Sequence, residues 1–169
     1  MIKAELNSEF LYTVELATMD SSEVANAIID TGCRATILTE PLVSDVLGVS
    51  EEMLSRVLEN YICVPLNGIH VPTTGKTIPC VLQNVYINGE LISRLWCYIA
   101  CTKEKFGVIG MDFLRACNIG IVQGGAMMLH HVDENAYEAN FKAPLYHAPI
   151  VELSNHKVRR KAGEIIEPT

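Results

Sequence analysis

Apolar and polar positions partly alternate over residues 9–17, a stretch rich in aromatic and β-branched side chains, which predicts a strand. Met19, Asp20, Ser21 and Ser22 supply turn chemistry, and residues 23–29 return as a second strand ending in the apolar Ala27, Ile28 and Ile29. The polar Asp30, Thr31 and Gly32 break that run. Thr39 is placed to cap a short helix, with Glu40 and Pro41 suited to its first turn. Leu42, Val43, Val46 and Leu47 give this helix an apolar face, and Gly48 is a natural stop. A second short helix is expected over residues 51–59, capped by Ser50.

From Tyr61 the texture becomes β. Residues 62–66, 76–87 and 91–100 read as strands, broken at Asn67-Gly68 and Asn88-Gly89, so the middle third is expected to be hairpins. Pro65 and Pro79 cannot donate to a ladder and belong at an edge or a late start. Residues 106–110 form a short apolar run that passes into a helix over 111–117, and 119–122 with 126–131 make a terminal hairpin around Gln123, Gly124 and Gly125. Beyond Asp133 the period is lost among mixed charges, Pro144, Pro149 and Pro168. One domain is therefore expected over residues 1–132, followed by a C-terminal extension over 133–169.

Composition narrows the function classes. A chain of 169 residues suffices for one domain with a real core, and 49% hydrophobic against 20% charged residues fits a globular protein. A formal net charge of -7 argues against nucleic acid as a partner, because binding phosphate backbones needs a basic surface. The basic run at residues 156–161 reads as a solvated tail. Six cysteines without a C-x-x-C pair, and a start without a signal-like segment, point to a reducing, cytoplasmic setting. No apolar run approaches the roughly 18 residues that span a bilayer, so no membrane partner is expected. Cys97 with Cys101, and the adjacent His130 and His131, do not make a zinc site unaided, and no metal or cofactor is expected.

The chemistry lies in the run Ala27-Ile28-Ile29-Asp30-Thr31-Gly32-Cys33-Arg34-Ala35-Thr36-Ile37-Leu38. Asp-Thr-Gly alone is a weak signal; here two β-branched residues precede it and Thr36-Ile37-Leu38 follow, putting a carboxylate at a turn that leaves a buried strand. Gly32 suits a sharp bend and close approach of a second chain, and Thr31 offers a hydroxyl to lock the turn. Further on, Val108-Ile109-Gly110-Met111-Asp112-Phe113-Leu114 puts two apolar residues and a glycine before a short helix, with 110 − 30 = 80 positions between Gly110 and Asp30.

Position by position, these two elements resemble the retropepsin-like (retroviral-type) aspartic protease family. The resemblance implies a mostly β fold: a closed acid-protease barrel with one or two short helices, one lobe per chain. It also implies a homodimeric aspartic endopeptidase, since the chain holds one Asp-Thr-Gly and the mechanism uses two. Asp30, Thr31 and Gly32 are then the catalytic candidates, and two Asp30 carboxylates sharing a proton would activate a water against a peptide bond. Residues 66–70 with Gly75 are a loose version of the family's glycine-rich flap tip, and Gly68 and Ile69 are the substrate-binding candidates there.

The chain also departs from the family pattern. Cys33 stands where alanine or serine is usual, and it reads either as an oxidisable group beside the dyad or as a small apolar filler. The acidic residue and arginine that pair in viral members are replaced by Arg34 and Met111; Arg34 either meets Asp112 in a pair of reversed polarity or faces solvent. Two other functions remain open: a non-cleaving peptide-binding or dimerisation module on the same fold, and a thiol-based redox or metal module.

Overall fold

The computed structural model describes residues 1–61, 63–65, 76–122, 124–145 and 148–161. The flap-tip candidates Gly68 and Ile69, with His70 and Gly75, lie outside the described residues. In chain order the elements are β1 (Ile2–Leu6), β2 (Tyr12–Ala17), β3 (Ala25–Ile29), β4 (Ile37–Thr39), α1 (Glu40–Leu47), α2 (Glu51–Leu58), β5 (Val64–Pro65) and β6 (Lys76–Ile87). There follow β7 (Glu90–Ala100), β8 (Gly107–Ile109), α3 (Met111–Leu114), β9 (Asn118–Ile121), β10 (Met127–His130), α4 (Glu134–Lys142), a 3-10 turn (Ala143–Leu145), β11 (Val151–Leu153) and α5 (Asn155–Lys161).

Six strands close a barrel in the order β6, β7, β4, β8, β3, β2, and β2 returns to β6 through Leu16 opposite Ile87 and Ala17 opposite Tyr86. Closure follows from period-two patterning: β2 buries Val14 and Leu16, and β3 buries Ala25, Ala27 and Ile29. Asn88 and Gly89 both take positive φ, 48° and 82°, as the two-residue turn between β6 and β7 requires. Pro79 faces Tyr98 of β7, and on its other side β6 changes partner, from β5 at Thr77 to β11 at Cys80. A residue without an N–H is tolerated at that gap.

The two early helices start and stop largely as their residues suggest. Ser50 accepts a hydrogen bond from the Met53 N–H at 3.1 Å, and Gly48 ends α1 at φ 66°, where a Cβ would lie 1.8 Å from the Asp20 carbonyl oxygen. Thr39 stands at the N-cap of α1, but its hydroxyl makes no cap bond. That hydroxyl instead donates to the Phe106 carbonyl and accepts from the Phe106 N–H, tying β4 to the approach to β8.

Tyr137, Phe141, Leu145, Val151, Leu153 and Val158 join the same core as the buried residues that precede Asp133. Asp133 caps α4 by accepting from the Ala136 N–H at 3.0 Å, and α4 buries Tyr137 and Phe141 against the barrel. The Phe141 ring lies 5.7 Å from that of Trp96 and 5.0 Å from that of Tyr98, while Tyr137 meets Phe113 edge-on at 5.0 Å. The Tyr137 hydroxyl donates to the Trp96 carbonyl. β11 lies parallel to β6 along Cys80, Val81 and Leu82, filling the edge left between β5 and β2. α5 follows, and Asn155 just before its basic residues donates to the Leu47 carbonyl at 2.7 Å. Among the described residues no helix is long and apolar enough to cross a membrane.

Candidate active site

β8 runs between β3 and β4, parallel to the first and antiparallel to the second. The chain linking β3 to β4, residues 30–36, must therefore cross over the end of β8, and this crossing builds the site. Backbone bonds fix it: the Asp30 N–H donates to the Ile109 carbonyl at 3.0 Å, the Met111 N–H to Cys33 at 2.8 Å and the Asp112 N–H to Arg34 at 3.1 Å. Asp30, half-buried at the end of β3, is thereby held against the entry to α3.

The Asp30 carboxylate accepts from the Gly32 N–H at 2.8 Å, which orients one oxygen and leaves the group partly open to solvent. Gly32 does not occupy the left-handed region; a Cβ there would stand 3.1 Å from Asp30 Oδ1. Its glycine is explained by the nearby carboxylate rather than by a strained bend. Thr31 is exposed, and among the described residues its hydroxyl makes no hydrogen bond.

The turn is instead held from behind by Thr36 and Asp112, both buried. The Thr36 hydroxyl donates to Asp112 Oδ1 at 2.7 Å and accepts from the Gly110 N–H at 3.2 Å, while the Thr36 N–H donates to Asp112 Oδ2 at 3.0 Å. Asp112 Oδ1 also accepts from the Phe113 N–H at 2.7 Å. Burial raises the Asp112 pKa, against the pull of the bonds from Thr36 and Phe113. Asn140 of α4 adds a bond to the Asp112 carbonyl at 3.1 Å, so the segment after Asp133 supports the same network. Among the described residues Arg34 and Asp112 form no ion pair; Arg34 is exposed while the Asp112 carboxylate faces Thr36.

Gly110 is the tightest point. A Cβ on it would lie 2.3 Å from the Ala35 carbonyl oxygen and 2.5 Å from its carbon, both backbone atoms of the crossing chain. Gly110→Ala is expected to cost about 3 kcal/mol or more, because neither strand can retreat without breaking the Thr36 bonds. Urea unfolding measures this, and a midpoint equal to that of the unchanged chain would contradict the reading.

Cys33 is buried, and its thiol donates to the Ala35 carbonyl at 3.1 Å. Burial, ahead of the nearby carboxylates, raises its pKa, the behaviour of a packed thiol rather than a reactive one. Among the described residues no group of three or more His, Cys, Asp or Glu side chains is placed to hold a metal ion.

Apolar residues are exposed just before β2 and at the end of β9. Tyr12, the first residue of β2, stands near the end of β3, and its hydroxyl donates to Gly125 at 2.8 Å, drawing the turn of the β9–β10 hairpin to the same end of the barrel. Phe10, Leu11, Ile121 and Val122 are all exposed. Phe10 is 80% exposed at φ 62°, in a turn whose N–H groups at Glu9 and Leu11 bond to the Asn7 side chain. β9 is an edge strand, with β10 as its partner in the sheet.

No family model matches the chain, and no curated protein does. Among solved structures it is similar to a retropepsin-like aspartic protease from Rickettsia conorii, with 16% identity and a TM-score of 0.53 over 76% of this chain and 88% of that one. This likeness places the mostly β, closed-barrel architecture in the retropepsin-like fold.

Proposed function

We propose that this chain is an aspartic endopeptidase that works as a homodimer, cutting extended peptides in a cleft between two copies. The observation that carries the reading is the Asp30 turn: a half-buried carboxylate on a rigid crossing, oriented by the Gly32 N–H and backed by Gly110, Thr36 and Asp112. The turn has one carboxylate where the chemistry needs two, and a second copy supplies the other. Support for that copy comes from the exposed apolar residues Phe10, Leu11, Ile121 and Val122, the open edge of β9, and a Thr31 hydroxyl with no bond inside the described chain.

Across such an axis the two Asp30 carboxylates cannot both ionise easily, so they share one proton, as is general for aspartic protease dyads. The ionised partner takes a proton from a water that attacks the scissile carbonyl, and the protonated partner donates to the carbonyl oxygen. The tetrahedral intermediate then collapses with proton transfer to the leaving amine. The step uses no metal, no cofactor and no covalent intermediate. Gly68 and Ile69, between β5 and β6, are the substrate contacts of this reading. The six free thiols support a cytoplasmic setting.

Peptide-library cleavage from about pH 4 to about pH 7, a range bracketing a shared-proton dyad, tests the proposal when the solution mass is measured on the same preparation. Cleavage by a dimer is the expected result. A dimer that cuts nothing at any pH would leave a peptide-binding or dimerisation module as the function.

A further inference from the structure

The peptide unit between Ile109 and Gly110 is bonded on both sides. Its carbonyl accepts from the Asp30 N–H at 3.0 Å, and its N–H donates to the Thr36 hydroxyl at 3.2 Å. The Thr36 hydroxyl passes the same polarity on by donating to Asp112 Oδ1 at 2.7 Å. Successive donors therefore point one way along a single line, from the backbone of Asp30 to the carboxylate of Asp112. Hydrogen bonds chained in this sense polarise one another, and a full negative charge at the accepting end strengthens the line.

The surroundings of that carboxylate suit an anion. Asp112 is 5% exposed; Oδ1 also accepts from the Phe113 N–H at 2.7 Å, and Oδ2 accepts from the Thr36 N–H at 3.0 Å. A proton on Oδ2 would meet the Thr36 N–H, and a proton on Oδ1 would meet the Phe113 N–H and take the place of the Thr36 hydroxyl hydrogen. The other titratable groups around Asp112 are the Cys33 thiol of the crossing, Cys97 and Tyr98 of β7, and Tyr137 of α4, all buried. Burial pushes each of them up, so all four are uncharged at neutral pH. Arg34 is exposed, and among the described residues Asp112 has no ion-pair partner. Its charge is held by neutral donors alone.

We propose that ionised Asp112 is a positioning residue for Asp30: through Thr36 and the Ile109–Gly110 peptide it fixes the backbone from which the Asp30 carboxylate projects, and its protonation slackens that hold and sets an acid limit on cleavage. The effect on cleavage rests on the protease reading, whereas the coupling of Asp112 to the Asp30 backbone does not. Burial, ahead of the opposing bonds from Thr36 and Phe113, lifts the Asp112 carboxyl above its ordinary value. A carboxyl raised in this way takes its proton more readily in the folded chain than in the unfolded one, so stability from this group grows as pH falls through the window. The acid limit is thus a change of geometry inside a folded protein and not an unfolding.

Two measurements test this. In the full chain carrying Asp30→Asn, where position 30 no longer titrates, NMR follows the Asp112 carboxyl carbon and the backbone N–H signals of position 30 and Gly110 from about pH 4 to about pH 7. Both N–H signals are expected to move with the Asp112 midpoint; signals that stay still while Asp112 titrates overturn the coupling, and an Asp112 that stays ionised throughout overturns the acid limit. The second measurement is kcat and KM for peptide cleavage by Asp112→Asn, whose amide keeps the carboxylate's shape but turns an N–H against one of its donors. Near neutral pH kcat is expected to fall on the order of 10²-fold, the scale of a small misplacement of a reacting group, with KM nearly unchanged. That deficit should shrink as pH falls and vanish once Asp112 of the unchanged chain is protonated. A deficit equal at every pH is a general structural loss and overturns the positioning role, as does an unchanged kcat. Thr36→Ser keeps the hydroxyl and should keep kcat, while Thr36→Val should match Asp112→Asn and add nothing when combined with it; equal kcat in the two Thr36 variants overturns the route through Thr36. If Asp112→Asn does not melt cooperatively, Thr36→Val carries the pH comparison. An unchanged chain that never cuts, in which the N–H signals still follow Asp112, points to failure of the protease reading instead.

Discussion

Asp30→Asn is expected to lower peptide cleavage on the order of 10³-fold, the scale of a lost general acid–base group, while leaving the melting temperature nearly unchanged. The two halves of this result have separate causes. The amide keeps an oxygen in the place of Oδ1, so the Gly32 N–H retains its acceptor, and the backbone bond from Asp30 to Ile109 is untouched. Thr36, Asp112 and Gly110 hold the crossing from behind whatever stands at position 30. An amide cannot take a proton from water or hold the shared one, so the chemistry goes while the scaffold stays. Steady-state cleavage and thermal unfolding on the same preparation check both; cleavage that survives would move the reaction away from Asp30.

Truncation after Val132 is expected to abolish cooperative folding. It would remove α4, β11 and α5 together and uncover Trp96, Tyr98 and Phe113, which are 5%, 3% and 0% exposed in the intact chain. Uncovering a large apolar side chain loses about 1.5–3 kcal/mol, and the whole stability of a domain is only about 5–15 kcal/mol. The same cut strips the β6 edge at Cys80, Val81 and Leu82 and takes away the Asn140 bond to Asp112, so the site loses its support as well. Circular dichroism during heating decides the matter: a sharp melt near that of the full chain would show that residues 133–169 are dispensable.

Much of the site was legible because its residues are close in sequence or constrained by sterics. The Asp30 turn sits between two apolar strands, and Gly110 precedes a helix, a pairing that local pattern alone can pick out. The partner of Asp112 was not legible. Charge left Arg34 either pairing with Asp112 or facing solvent; Arg34 is exposed, Asp112 faces inward and bonds to Thr36, and only the packing of α3 decides which side of that helix is buried. β1, β4 and β11 span five, three and three residues, too few to establish a period, and β11 is defined by a parallel neighbour about seventy positions earlier in the chain. α4 did carry a signal in Tyr137 and Phe141, one helical turn apart, which the prolines and charges around them obscured.

The most direct measurement is cleavage by mixtures of the unchanged chain and Asp30→Asn, exchanged to equilibrium at constant total concentration. If each working site needs one Asp30 from each of two copies, an equal mixture keeps about a quarter of the original rate, because only that share of dimers has both carboxylates. A rate of about half, falling in simple proportion to the unchanged chain, would mean that one copy cuts alone and would contradict the shared-proton dyad.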